Sequence, residues 1–164
     1  HHRSSAASDV YKRQGGGVIR AFPVRRHQTL PVAPYPQLIA PTLDALDGRA
    51  LAEFWRVLLG LDYRPNQGPD DDPGFIVIDG PDGRPKLAVQ QVAELRRVTW
   101  PAGDVPQQIH LDLVVNDRAG LAAQVERAVA GGATLLDDRS DDDADPLVVL
   151  ADPEGHPFCL IGRR

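Results

Sequence analysis

Two stretches of the chain have the same plan: Val77–Val89 reads VIDGPDGRPKLAV, and Val149–Ile161 reads VLADPEGHPFCLI. In each, an apolar run leads into a turn of Pro, an acidic residue, Gly, a basic residue or His, and Pro, and a second apolar run follows. Gly and Pro in such a turn are typical of a tight connection between antiparallel strands. The two turns are 72 residues apart, which predicts two copies of one module.

The residues before each hairpin repeat as well. Asp47 and Asp117 stand 70 residues apart, and each offers a helix N-cap before an apolar stripe of helical period. Gly60 and Gly131 stand where these helices should end. Strands are predicted at 38–46, 61–64, 75–78 and 86–92, and again at 108–115, 133–136, 147–150 and 158–161. Each module is therefore predicted to be β-α-β-β-β, with Trp55 in the core of the first.

A four-stranded module of this kind has one sheet face that it cannot bury alone, so two copies are expected to pair. The predicted fold class is α+β, with two tandem βαβββ modules in a curved eight-stranded mixed sheet around a cup. We expect one domain over residues 37–164, with modules at about 37–95 and 106–164. The space between the modules is a natural place for a ligand.

Residues 1–36 differ in composition from the rest, with six Lys or Arg and one acid. We expect a disordered leader there, and we interpret roughly the first 14 residues as a sequencing-adapter artefact. The remainder has 12 basic and 22 acidic residues, a formal charge of −10. Such a domain repels nucleic acid and anionic membranes, and no apolar run is long enough to span a bilayer. A single cysteine permits no intrachain disulfide, so we expect a cytoplasmic protein.

The paired modules, with LAEFWRVLLGLDYRP after the first cap, VPQQIHLDLVVND opening the second module and LADPEGHPFCLI closing it, resemble the vicinal oxygen chelate superfamily. Small bacterial glyoxalase-like proteins are the most similar group within it. The resemblance covers about residues 37–161. It implies the glyoxalase, bleomycin-resistance and dioxygenase fold, which serves both enzymes and binding proteins, so the fold alone does not choose between them.

Many enzymes of this superfamily hold a divalent metal with His and Glu from the first and last strands of both modules. The resemblance carries these positions to His110 and Cys159 in the second module, and to Ala40 and Leu87 in the first. Neither Ala nor Leu can bind a metal, and hard ions such as Mg²⁺ require oxygen ligands. No cofactor is therefore expected, although a two-ligand site of His110 and Cys159 remains an alternative.

Six residues are candidates for the lining of the cup. His110 and Asp112 share one strand face, and Cys159 faces the same way, while Leu111 and Leu113 should face the helix. His110 could act as a base or anchor a ligand, or be a cavity histidine; Cys159 could be a nucleophile or an inert buried thiol. The other candidates are Asp44, Gln91 and Trp100, the last either stacking on a ligand or packing the linker.

Three functions remain open. The first is a small-molecule binding protein without the usual metal, whose acidic surface favours a neutral or cationic ligand. The second is a lyase, isomerase or dioxygenase that uses His110 as base or metal ligand. The third is an interaction module whose cup is filled by its own side chains. A homodimer is implied by the resemblance. The acidic run 137–145 lacks the pattern of a Ca²⁺ loop, and His156 belongs to a turn.

Overall fold

The computed structural model describes residues 36–68, 70–71 and 74–163. The predicted leader, Pro36 excepted, lies outside them. The first module contains β1 (Thr42–Ala45), α1 (Gly48–Leu59), β2 (Asp62–Tyr63), β3 (Phe75–Asp79) and β4 (Pro85–Gln91). The second contains β5 (Leu111–Val115), α2 (Arg118–Ala130), β6 (Thr134–Arg139), β7 (Leu147–Ala151) and β8 (Pro157–Gly162). The predicted α+β class and the two βαβββ modules are confirmed.

Each module forms its own four-stranded mixed sheet. The strand orders are β1-β4-β3-β2 and β5-β8-β7-β6, with the first pair of each sheet parallel and the others antiparallel. The first strand of each module thus lies beside its last strand, because the helix carries the chain across the sheet. Equivalent strands occupy equivalent places in both sheets, as a repeated module requires.

The two helices begin as the sequence predicts. Asp47 accepts a hydrogen bond from Ala50 N–H at 2.9 Å, and Asp117 accepts one from Gly120 N–H at 2.5 Å. Helix α1 ends at Gly60, whose φ of 63° is the left-handed conformation typical of a C-cap. The stripe of α2 is weaker than predicted, because Leu121 and Ala128 are its only buried residues.

The modules pack against each other through the faces of the sheets that carry the helices. Trp55 of α1 is fully buried, as predicted, and its ring lies 5.0 Å from that of Phe158 in β8, with Phe54 stacked edge-on against both. One apolar core joins α1, α2 and the helix-side residues of both sheets. The interior shared by the two modules within this chain is therefore filled by aromatic and aliphatic side chains.

Two hydrogen bonds tie α1 to the turn between β7 and β8. Trp55 Nε1 donates to Asp152 Oδ2 at 3.1 Å, and Asp47 N–H donates to Glu154 Oε1 at 3.0 Å. Asp152 is almost fully buried and also accepts from the backbone of residues 154–156. His156 Nδ1 lies 2.9 Å from Asp152 Oδ2, so the side chain of this turn histidine contacts the same carboxylate. The turn between β7 and β8, one of the two turns with matching sequences, therefore links the two modules.

Among the described residues, no helix is both long enough and apolar enough to cross a bilayer.

Candidate functional site

We call the side of each sheet that faces away from the helices its outer face. Alternation along the strands places Asp112 and Val114 of β5, Cys159 and Ile161 of β8, and Val149 of β7 on the outer face of the second sheet. Leu111 and Leu113 pack on the helix-side core, as the sequence predicts. The registers pair Asp112 with Cys159 and Cys159 with Val149, which puts the three in one row.

Three potential metal-binding side chains converge at one end of this row. His110, Asp112 and Cys159, named here the outer-face cluster, offer ligand atoms that all lie within 4.8 Å of one another. His110 Nε2 is 3.5 Å from Asp112 Oδ1. His110 immediately precedes β5, and both it and Asp112 are exposed, whereas Cys159 is 3% exposed. Three of the six residues predicted for the cup therefore form this cluster, and a fourth, Trp100, lies on the same face.

Burial and neighbouring carboxylates keep the Cys159 thiol protonated. Loss of hydration raises its pKa to about 12, and the charge and hydrogen bond of Asp112 act in the same direction, as does the charge of Asp145. The guanidinium of Arg139 lowers the pKa, with an effect weaker than those of burial and Asp112 but stronger than that of Asp145. Since the thiolate is the nucleophilic form, the nucleophilic interpretation of Cys159 lacks support from its environment.

Trp100 covers the apolar part of the same outer face. It packs with Leu136 and Ile161 against the buried Leu147, Val149 and Cys159. Its indole nitrogen is buried and has no hydrogen-bond acceptor among the described residues. The connector between the modules thus places an aromatic ring, that of Trp100, and its indole N–H donor beside the outer-face cluster.

Sequence reasoning missed two charged residues of this face. Asp137 and Arg139 in β6 are opposite Val149 and Leu147, and their side chains are only 15% and 17% exposed. Asp137 Oδ2 is 3.9 Å from Arg139 Nε. The signal was an acid and a base two positions apart, directly after the predicted strand 133–136, but these residues were counted with the acidic run 137–145. The strand extends to residue 139 instead.

Asp44 and Gln91 are not part of the cluster. Asp44 is exposed on the outer face of the first sheet, a different sheet from that of His110. Gln91 was predicted to face the cup, but it pairs with Ala45, a residue of the helix-side core. Its Oε1 accepts a hydrogen bond from Gly48 N–H at 3.3 Å, so this side chain caps the start of α1.

The prediction for Leu87 requires a correction. Leu87 is 1% exposed and belongs to the helix-side core, so it does not occupy the position equivalent to Cys159. In the β3–β4 pairing Asp79 is opposite Pro85 and Ile78 is opposite Leu87, so Lys86 is one extra residue in β4. Because of this bulge, the residues of β4 from Leu87 onward lie on the opposite faces from those that alignment of the two turns predicts. Ala88, which pairs with Thr42 as Cys159 pairs with Asp112, is the true equivalent.

The strand registers therefore move the metal positions that the resemblance implies to Ala40, Ala88, His110 and Cys159. Alanine has no donor atom, so the first module contributes nothing to an ion. An octahedral oxygen-rich site for Mn²⁺ or Mg²⁺ does not fit these residues. The second module alone offers a nitrogen, a carboxylate and a sulfur.

A separate groove of about 240 Å³ lies between the two helices. Its lining includes Glu53, Phe54 and Val57 of α1 and Arg127 of α2. None of the residues predicted for the cup lines it.

Comparisons with known proteins agree with this fold. The family model described as a glyoxalase-like domain matches residues 40–161. No curated protein is significantly similar to the chain in sequence. A glyoxalase-related enzyme from Fulvimarina pelagi is 24% identical, with a TM-score of 0.55 over 77% of this chain and 88% of that one.

Two further solved structures have the same fold at lower identity. A glyoxalase/bleomycin resistance protein/dioxygenase family enzyme from Burkholderia phytofirmans PsJN is 18% identical, with a TM-score of 0.56 over 75% of this chain and 95% of that one. The fosfomycin resistance protein FosX from Listeria monocytogenes, solved with Mn(II) and sulfate, is 14% identical, with a TM-score of 0.56 over 79% and 94%. At these identities the comparison concerns the fold.

Proposed function

Because the chain belongs to the glyoxalase-like domain family, we propose that it binds a small molecule on the outer face of its second sheet, without the four-ligand metal site of the superfamily. One observation carries the proposal. The outer-face cluster stands beside an apolar floor under Trp100, whose buried indole N–H has no acceptor among the described residues. Few polar groups beside an apolar surface are what a small-molecule site requires.

The charges around this face favour a neutral or cationic ligand. Asp112, Asp137 and Asp145 are the nearby acids, and Arg139 is partly balanced by Asp137. An aromatic ring such as that of Trp100 also attracts cations to its face. We infer a cytoplasmic setting, because the buried Cys159 is the chain's single cysteine and needs no oxidising environment.

We also infer that two copies of the chain form a homodimer through their outer faces. Phe75 on the first sheet and Val114 on the second are each 48% exposed. Large apolar side chains at corresponding faces of two sheets would be covered by the opposite sheets of a second copy. Such an arrangement would close a cup over the outer-face cluster. Light scattering of the wild type and of a Phe75→Ser, Val114→Ser variant tests it, and a monomeric wild type would contradict it.

A second candidate function is an enzyme in which His110 acts as a general base. The observation that favours it is the 3.5 Å separation of His110 Nε2 and Asp112 Oδ1. A carboxylate beside an imidazole orients the ring for proton abstraction. Turnover of a bound ligand that is lost in His110→Ala while binding persists would select the enzyme over the binding protein.

A ligand screen tests the proposed function. Thermal shift and calorimetry are applied with a panel that includes bleomycin as a cationic ligand and fosfomycin as an anionic one, with and without divalent metals. We expect a neutral or cationic ligand to bind in the presence of chelator, and Trp100→Ala to weaken it at least about tenfold, one lost stacking contact of about 1.4 kcal/mol.

Glu126→Gln is the matched control, since it removes an exposed carboxylate from α2, on the opposite side of the second sheet from the outer-face cluster. Its affinity should equal that of the wild type. Binding that is unaffected by Trp100→Ala, or a ligand that binds only with Mn²⁺, would contradict the proposal.

A further inference from the structure

We propose that His110, Asp112 and Cys159 form a site for a single thiophilic divalent cation, with Zn²⁺ the best fit, held by the second module alone. The site lies on the same face as the proposed ligand site and goes beyond that proposal, which concerns an organic molecule. It differs from a hard-metal site in its ligand atoms and in its use of one module.

The geometry is close to that of a tetrahedral zinc site. Zinc binds nitrogen and oxygen at about 2.0–2.1 Å and sulfur at about 2.3 Å, so its ligand atoms stand roughly 3.3–3.6 Å apart. His110 Nε2 and Asp112 Oδ1 are already 3.5 Å apart, and all three ligand atoms lie within 4.8 Å. Closing the remaining gap requires a movement of about 1 Å.

The two exposed side chains of the cluster, and not the buried one, would move to complete the site. The side chains of His110 and Asp112 are 36% and 49% exposed, whereas Cys159 is fixed in β8 between Asp112 and Val149. The buried sulfur therefore provides a fixed point toward which two exposed side chains rotate. Three protein ligands leave a fourth position open toward solvent, as in catalytic zinc sites.

The ligand types decide which metal is favoured. A cysteine sulfur, whose proton the bound ion displaces into solvent, and an imidazole suit zinc, whereas Mn²⁺ and Mg²⁺ prefer several oxygen atoms in octahedral geometry. Only Asp112 supplies oxygen here, and Ala40 and Ala88 supply nothing. Because position 159 offers a sulfur atom and no carboxylate oxygen, the site favours a borderline metal such as Zn²⁺ over hard metals such as Mg²⁺.

The surrounding charges attract a cation. Asp112 and Asp145 act on Cys159 with negative charge, and Arg139 acts with positive charge. Arg139 lies within 3.9 Å of Asp137, which offsets its repulsion. Trp100 and the apolar floor around Cys159 exclude water from one side of the site, which strengthens the attraction between a bound ion and its ligands.

Cobalt titration of the full chain, freed of metal with chelator, tests the proposal. Co²⁺ reports on zinc sites because cobalt bound to a thiolate absorbs in the near ultraviolet and shows intense visible bands when tetrahedral. We expect one Co²⁺ per chain with both signals, displaced by stoichiometric Zn²⁺ and unaffected by a hundredfold excess of Mn²⁺ or Mg²⁺.

Three variants locate the site. Cys159→Ser should abolish the near-ultraviolet signal, and His110→Ala and Asp112→Asn should each weaken binding at least tenfold. The control Glu126→Gln should bind like the wild type, and His1, His2 and His27 are present in every variant, so their contribution is constant. Circular dichroism establishes that each variant is folded.

The proposal is overturned if Co²⁺ and Zn²⁺ fail to bind, if the three variants bind as the wild type does, or if Mn²⁺ displaces Co²⁺. The cobalt titration contains no organic ligand, so a failure of Co²⁺ to bind would not contradict the proposed binding of a small molecule. The ligand screen in chelator can likewise fail while cobalt binds.

Discussion

Trp55 Nε1 donates a hydrogen bond to Asp152 Oδ2 across 97 positions of sequence and joins the first helix to the second hairpin. Both groups are buried, and the same carboxylate holds the turn before β8 through three backbone N–H groups. The bond therefore connects the packing of the two modules to the conformation of the hairpin that carries Cys159.

Trp55→Phe should lower the free energy of unfolding by about 1.5–3 kcal/mol, because it removes the indole donor to a buried carboxylate. Urea denaturation measures the change. Val57→Ala on the same helix is the control, since Val57 is half exposed and should cost no more than about 0.5 kcal/mol. Equal losses in the two variants would show that the bond contributes nothing.

Leu87→Ala should cost about 2–5 kcal/mol, as expected for a leucine that is 1% exposed in the shared core. Lys86→Ala, which removes an exposed ion pair with Asp82, should cost no more than about 1 kcal/mol. Urea denaturation compares the two. A small cost for Leu87→Ala would mean that the residue faces outward and that the bulge in β4 is misplaced.

The thiol of Cys159 should react slowly with alkylating reagents in the native, metal-free protein. Its pKa is raised to about 12 by burial and by Asp112, so little thiolate exists at pH 8. We expect alkylation at least about tenfold slower than in urea, measured by mass spectrometry. The chain has one cysteine, so the signal has a single source. Equal rates in the two states would contradict the raised pKa.

The same thiol should make the protein less stable in alkali. Between the ordinary pKa near 9 and about 12, the unfolded chain releases the proton while the folded chain keeps it. The folded state therefore binds more protons, and stability falls as pH rises through this range. Cys159→Ala should reduce the slope relative to wild type in denaturation curves, and an unchanged slope would contradict the assignment.

Glu53 should titrate far below an ordinary glutamate. The hydrogen bond from Arg56 is the largest cause that lowers its pKa to about 2, with a smaller contribution from the Tyr63 hydroxyl. Its stabilisation is present above pH 4.5 and is lost as pH falls toward 2. The pair is partly exposed, so the loss should stay below about 1 kcal/mol. NMR titration of the carboxyl carbon measures the pKa, and an ordinary value would contradict the pairing.

The order of elements was predictable because it depends on local signals. Asp47 and Asp117 cap their helices, Gly60 ends the first, and the apolar period of α1 buries Trp55. Strand alternation also placed His110, Asp112 and Cys159 together, since residues on one strand face and their cross-strand neighbours are fixed by period two.

Which faces of the sheets meet could not be read from the sequence. All five residues of β7 are buried, so the strand is apolar on both sides: Val148 and Leu150 enter the shared core, while Leu147 and Val149 lie under Trp100. A strand without alternating apolar and polar residues indicates that both of its faces are buried, but it does not indicate which face packs on the helices. The contact between Trp55 and Phe158 depends on residues about a hundred positions apart, for which local pattern has no signal.

The extra residue in β4 has a consequence for protein engineering. A glutamate introduced at position 87, where alignment of the two turns suggests a lost ligand, would place an unpaired carboxyl group in the apolar interior and would destabilise the fold. The same glutamate at position 88 would project from the opposite side. Restoring an oxygen donor to the first repeat therefore begins at Ala88, and duplicated modules of this kind must be aligned by strand partners before residues are exchanged between them.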